Sequence, residues 1–226
     1  MKIKSLILSL VMCVTAVGAA GCGNPDIVGD NLIMQARENY ENLDSAKIIM
    51  TNVDTGKNEQ IFTFKYEGST LTYSDWQLVD GVESSEYNNG EVDIVSRGDS
   101  TTRREKGESG FKSYTRSKKH IKTRDDMITY IPTAVTDAKM TRQNGKREIT
   151  HIYDVEKVKP TVPEGTVTGF AVRYLFDKDG KLEYFTETTI YEVDGTEKRL
   201  GYKTEITQKN KITKVENIIE TTAENK

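Results

Sequence analysis

Seven short turn signals, spaced along one chain, constrain what it can fold into: Asp54-Thr55-Gly56, Glu67-Gly68, Asp80-Gly81, Asn89-Gly90, Asn144-Gly145, Asp179-Gly180 and Asp194-Gly195. Asn-Gly and Asp-Gly supply the positive φ angles that tight hairpins require. Between them apolar residues recur with period two. Phe62, Phe64 and Tyr66 alternate with Thr63 and Lys65, and Phe170, Val172, Tyr174 and Phe176 alternate with Ala171, Arg173 and Leu175. Period two marks half-buried strands with one wet face. The pattern predicts an antiparallel meander of eight to eleven strands, mainly β, in a single domain over 30–220.

The ends differ from this body. Lys2 and Lys4 precede an apolar run from Leu6 to Val17, and Ala19, Ala20 and Gly21 lead into Cys22. That run is shorter than the roughly 20 residues of a membrane-crossing helix and has the length of a signal core. A signal ending in small residues directly before cysteine resembles the lipobox of bacterial lipoproteins. The resemblance implies removal of residues 1–21, lipidation of Cys22, and attachment to the outer face of a cell membrane, with a single-membrane bacterium favoured by the Cys22-Gly23-Asn24 start. Residues 22–29 then form a tether and 221–226 a frayed polar tail.

Cys13 lies in the segment to be removed, so the mature domain has no thiol for a disulfide, a thiolate metal site or a nucleophile. The whole chain has 32 basic and 35 acidic residues; loss of Lys2 and Lys4 moves the net charge from −3 to −5. Within this acidic chain, Arg103, Arg104, Lys112, Arg116, Lys118 and Lys119 mark a basic stretch in which Glu105 and Glu108 are the only acids from Arg103 through Arg124. It reads either as a solvated strand pair or as a patch for an anionic envelope polymer or headgroups. No nucleic-acid motif accompanies it.

Two helical segments are expected. Asp30 is a candidate cap for a helix with Leu32, Ala36, Tyr40 and Leu43 on one face, and Asp125 or Asp126 for a short helix carrying Met127, Ile128, Tyr130 and Ile131 up to Pro132. Catalytic constellations are nearly absent, although the abundant carboxylates leave a glycosidase pair, and with it a hydrolase acting on envelope material, open to counting alone. His120 and His151 have no ligand spacing about them, Ser109 and Lys112 match S-x-x-K without its companion motifs, and Arg97-Gly98-Asp99 reads as a charged turn. No enzyme, metal or cofactor is expected.

A leading helix, a long meander, a short mid-chain helical insertion and closing hairpins resemble, in topology, the LolA/LppX group of extracytoplasmic lipoprotein and lipid carriers. The resemblance implies an unclosed half-barrel whose concave side is covered by helices, with Phe62, Phe64, Tyr66, Phe170, Val172, Tyr174 and Phe176 lining a cavity for a lipid or acyl chain. The expected protein is then a monomeric, membrane-anchored carrier or sensor. The alternative is a surface module binding a protein partner or an anionic polymer through the basic patch.

Overall fold

A computed structural model of the chain describes residues 27–79 and 81–223. Cys22, the signal and the first part of the tether lie outside them. Helix α1 (Asp30–Glu41) is followed by a six-strand meander, β1 (Ser45–Asn52), β2 (Asn58–Glu67), β3 (Thr70–Val79), β4 (Val82–Asn88), β5 (Val92–Arg97) and β6 (Ser100–Glu105). A long connection leads to a second meander, β7 (Val135–Gln143), β8 (Lys146–Tyr153), β9 (Thr166–Phe176), β10 (Leu182–Val193) and β11 (Thr196–Thr207), with a helical turn α2 (Val155–Val158) before β9 and α3 (Ile218–Ala223) at the end.

The two meanders make one sheet because β11 returns to pair with β1, giving the order β6-β5-β4-β3-β2-β1-β11-β10-β9-β8-β7. Every pairing is antiparallel, as in Ile48 opposite Phe62 and Ile206. The expected turns join the strands: Asn144 and Gly145 take φ of 53° and 78° between β7 and β8, and Asp194 and Gly195 take 49° and 73° between β10 and β11. Arg97-Gly98-Asp99 is the β5–β6 turn. The sheet is an unclosed half-barrel with β6 and β7 as its free edges.

Helix α1 lies on the inner face and touches both wings. Tyr40 meets Phe64 of β2 edge-on at 6.3 Å, while Gly29, at its start, abuts Ile149 of β8. Its buried stripe is Ile33, Ala36 and Tyr40, with Leu32 and Leu43 half-buried beside it. The cap differs from expectation. Gly29 at φ 83° occupies that position, and Asp30, in the first turn, accepts a hydrogen bond from the Tyr130 hydroxyl instead.

The mid-chain helix is also different in kind. Three separate 3-10 turns stand there, Ile121–Thr123, Asp125–Met127 and Pro132–Ala134. Asp125 is drawn into an ion pair with Arg37 rather than a cap, and Pro132 begins a turn instead of ending a helix. A segment this short gains little from its own hydrogen bonds, so the contacts it makes with α1 and the sheet decide its shape.

Beyond β11, residues 208–223 cross the outer face of the first wing. The Asn210 carboxamide accepts from the backbone of Asp44 and Ser45 (2.8 and 3.3 Å), Ile212 N donates to Ser45 Oγ (3.2 Å), and Lys65 donates to the Thr213 carbonyl (2.8 Å). This strap buries Val215, which shares an outer-face cleft of about 380 Å³ with the buried Ile94 of β5.

Candidate functional site

Alternation on the strands puts all seven expected lining residues on the inner face, where each is buried in one continuous core. Phe62 stacks on Phe64 at 5.8 Å and Phe64 meets Tyr66 at 6.1 Å. In the other wing Phe170 lies 5.7 Å from Tyr153, whose hydroxyl is 3.0 Å from that of Tyr174. Leu71, Tyr73, Ile149, His151 and Phe185 extend this floor, and Ile33 of α1 packs into the same core. Strand period signals such positions individually; the pairing of distant strands brings them together. The outer-face cleft and a shallow 620 Å³ depression beside α1, lined by Met34, Arg37 and Asp125 among others, touch none of the seven.

Residues 120–134 form a lid over this floor alongside α1. Its apolar contribution is limited to Ile128, Tyr130 and Ala134, fully buried, with Met127 at the margin. Polar latches hold the rest. Arg37 Nη1 donates to the carbonyls of Ile128 (2.9 Å) and Tyr130 (3.0 Å), and its Nη2 to Asp125 Oδ2 (2.9 Å). The Tyr40 hydroxyl donates to the Lys122 carbonyl and that of Tyr174 to the Thr129 carbonyl. Thr129 Oγ1 donates to Glu187 of β10 at 2.5 Å, and Lys119 Nζ to Glu41 at 2.7 Å.

Beneath the lid the floor is acidic. Asp75 on β3 and Glu86 on β4 are direct cross-strand partners, and Asp93 on β5 lies one inner-face row away, opposite Asn88. Asp75, 4% exposed, accepts from Gln60 Nε2 (2.7 Å) and from Lys122 Nζ (2.5 Å). Glu86 accepts from the Tyr73 hydroxyl at 2.5 Å. Asp93 is fully buried; neither carboxylate oxygen meets full hydrogen-bond geometry, and the Asn88 side chain opposite it is the polar group that acts on it, favouring the charged form against burial. Burial holds the carboxyls of Asp75, Asp93 and Glu187 above the usual range, and for Asp75 it outweighs the opposing Lys122 ammonium.

Both histidines belong to this interior. His120 lies between Tyr73 (4.7 Å), Tyr114 (5.1 Å) and Phe62 (5.4 Å), and its Nδ1 accepts from Lys122 N. Burial, then the nearby Lys122 and Lys112 charges, lower its pKa to about 4. His151, on β8, pairs through Nε2 with the Val28 carbonyl at 2.8 Å while its Nδ1 stays unpartnered; burial lowers its pKa too.

The six basic-patch residues are not gathered on one surface. Arg103 and Arg104 are neighbours on β6 and so face opposite sides: Arg103 pairs with Glu105 (2.8 Å) and Glu220 (3.0 Å) outside, while Arg104 stands opposite Asp93 inside. Arg116 pairs with Asp44 and lies 4.4 Å over the Tyr66 ring, and Lys119 pairs with Glu41. The Lys112 carbonyl accepts from Asn88 at 2.7 Å; Lys118 is exposed. Much of this charge is spent within the chain.

Among the described residues no group of three His, Cys, Asp or Glu side chains is arranged to hold a metal ion, and no helix is long and apolar enough to cross a membrane. No family model matches the chain, and no curated protein does. Among solved structures, LprF from Mycobacterium bovis is similar, with 10% identity over 84% of this chain and 96% of LprF at a TM-score of 0.47.

Proposed function

We propose that this chain is an extracytoplasmic protein, anchored through lipidated Cys22, that takes an apolar ligand such as a lipid or acyl chain onto the inner face of its half-barrel. It acts as a carrier or sensor and performs no chemical step. The observation that carries the reading is the unequal attachment of the lid. Below it lies a continuous aromatic floor, yet the lid adds few buried apolar side chains of its own and is held largely by polar latches to Arg37, Tyr40, Asp75 and Glu187. Water replaces such latches at small net cost, whereas apolar burial is lost outright. Lid opening is therefore inexpensive relative to unfolding, and an acyl chain entering beneath it recovers the exposed area.

Mass spectrometry of solvent extracts from detergent-free protein tests this, together with titration of a fluorescent acyl probe. Bound lipid, or saturable probe binding that protects the floor, is the expected result. Absence of both, with the lid amides exchanging no faster than the sheet, overturns the reading.

A further inference from the structure

Lys122 is the lid side chain that reaches the acidic floor most directly. It is a four-carbon alkyl chain ending in a primary ammonium, and it lies inside the half-barrel as an amphiphile would. Its Nζ is 2.5 Å from Asp75 Oδ2 and 5.7 Å from the centroid of the Phe62 ring. Gln60 holds the other carboxylate oxygen of Asp75, and the rings of His120 and Tyr73 stand beside Phe62. A buried carboxylate flanked by aromatic faces is the chemistry that recognises an ammonium group. One row further on, Asp93 is completely enclosed, with the Asn88 side chain beside it and no hydrogen bond of full geometry to either oxygen, so the floor holds acceptor capacity beyond what Lys122 and Gln60 use on Asp75. Arg104 and Lys112 are the cations that act on it electrostatically, and neither hydrogen-bonds to it. An anionic headgroup entering here meets Asp75, Glu86 and Asp93; a cationic one is matched.

We infer that the ligand is an amphiphile with an apolar tail and a primary ammonium head, and that this head takes the place on Asp75 that Lys122 holds in the closed protein. The inference rests on the reading that the lid lifts to admit an apolar ligand. Lys122 then acts as an internal competitor, and Asp75 as the group that selects the head.

Three probes with the same tail separate the outcomes: dodecylamine, dodecanol and dodecanoate, titrated calorimetrically below their micellar concentrations. The native protein binds dodecylamine about tenfold or more tighter than either of the others, as an added charge-assisted hydrogen bond requires. Asp75→Asn removes that preference. Lys122→Met, which deletes the competitor and keeps the side-chain bulk, tightens dodecylamine binding by about tenfold. Equal affinity for the three probes, or a preference that survives in Asp75→Asn, overturns the inference and leaves the carrier reading standing. Failure of all three to bind both the native protein and Lys122→Met removes the two together.

Discussion

The Arg37 guanidinium, projecting from α1, pairs with Asp125 at 2.9 Å while the same group caps the carbonyls of Ile128 and Tyr130. One side chain thus fastens a segment about ninety residues away in sequence. Because it satisfies three acceptors in a fixed fork, lysine is no substitute. Arg37→Ala is expected to cost about 2 kcal/mol, and Arg37→Lys most of that. Urea denaturation gives the loss, and hydrogen exchange should show amides of 121–134 opening first. A change within experimental error in both would show that the latch does not hold the lid.

Gly29 sets where α1 meets the sheet. Its φ is 83°, and a Cβ there would come within 2.4 Å of Ile149 Cδ1 and 2.9 Å of Ile149 Cγ2. Gly29→Ala therefore combines left-handed backbone strain with overpacking, for an expected loss of about 2–4 kcal/mol. Pairing it with Ile149→Val should recover part of that loss by making room. Chemical denaturation of the two variants decides the point, and a harmless Gly29→Ala would contradict the packing described.

His120 makes stability depend on acid. Its folded-state pKa is lowered to about 4, below its ordinary value near 6.5, so the unfolded chain binds the proton more readily. The sign follows: the contribution of neutral His120 is intact above about pH 6.5 and is lost as pH falls toward 4, with a slope approaching ~1.4 kcal/mol per unit. The raised carboxyls of Asp75, Asp93 and Glu187 act in the opposite sense, favouring the fold at low pH, so the measurement is a difference. His120→Asn keeps an acceptor for Lys122 N but does not titrate. The native-minus-variant stability should decline across that window as pH falls; a flat difference would mean that His120 titrates in the fold as it does in the unfolded chain.

Val215 holds the strap to the outer face. An aspartate there is a buried, unpaired charge, and the strap should detach while the sheet remains. Trypsin is expected to cut Val215→Asp at Lys211 or Lys214 at least about tenfold faster than the native chain, as a ~1.4 kcal/mol shift toward the open form implies. Unchanged circular dichroism separates this from global unfolding. Equal cleavage rates would show that Val215 contributes nothing to the closed strap.

Local chemistry was legible in the chain. Turn dipeptides fix backbone angles over two residues, and alternation over five or six assigns a face, so the inward facing of Phe62, Phe64 and Tyr66 depends on no partner strand. The leading helix is visible for the same reason, although its most buried residue is Ile33 and not the neighbouring Leu32 of the expected stripe. What depended on distant partners was not legible. Asp125 looked like a cap because a cap is the nearest use for an aspartate; its actual partner, Arg37, lies 88 residues earlier.

The basic stretch shows the same division. As a string it is a patch of like charge, which suggests an external polyanion, and nothing local reveals that the floor facing it has Asp75, Glu86 and Asp93 on adjacent strands. Sequence by itself determined the strands, their turns and their inward faces, because those follow from backbone conformation and side-chain period. Tertiary structure alone decided that the cations divide between two surfaces and that one of them, Lys122, lies against a buried acid. Burial and charge pairing depend on which segments meet, and here β11 returning to β1 and a connection folding back over the sheet settle that.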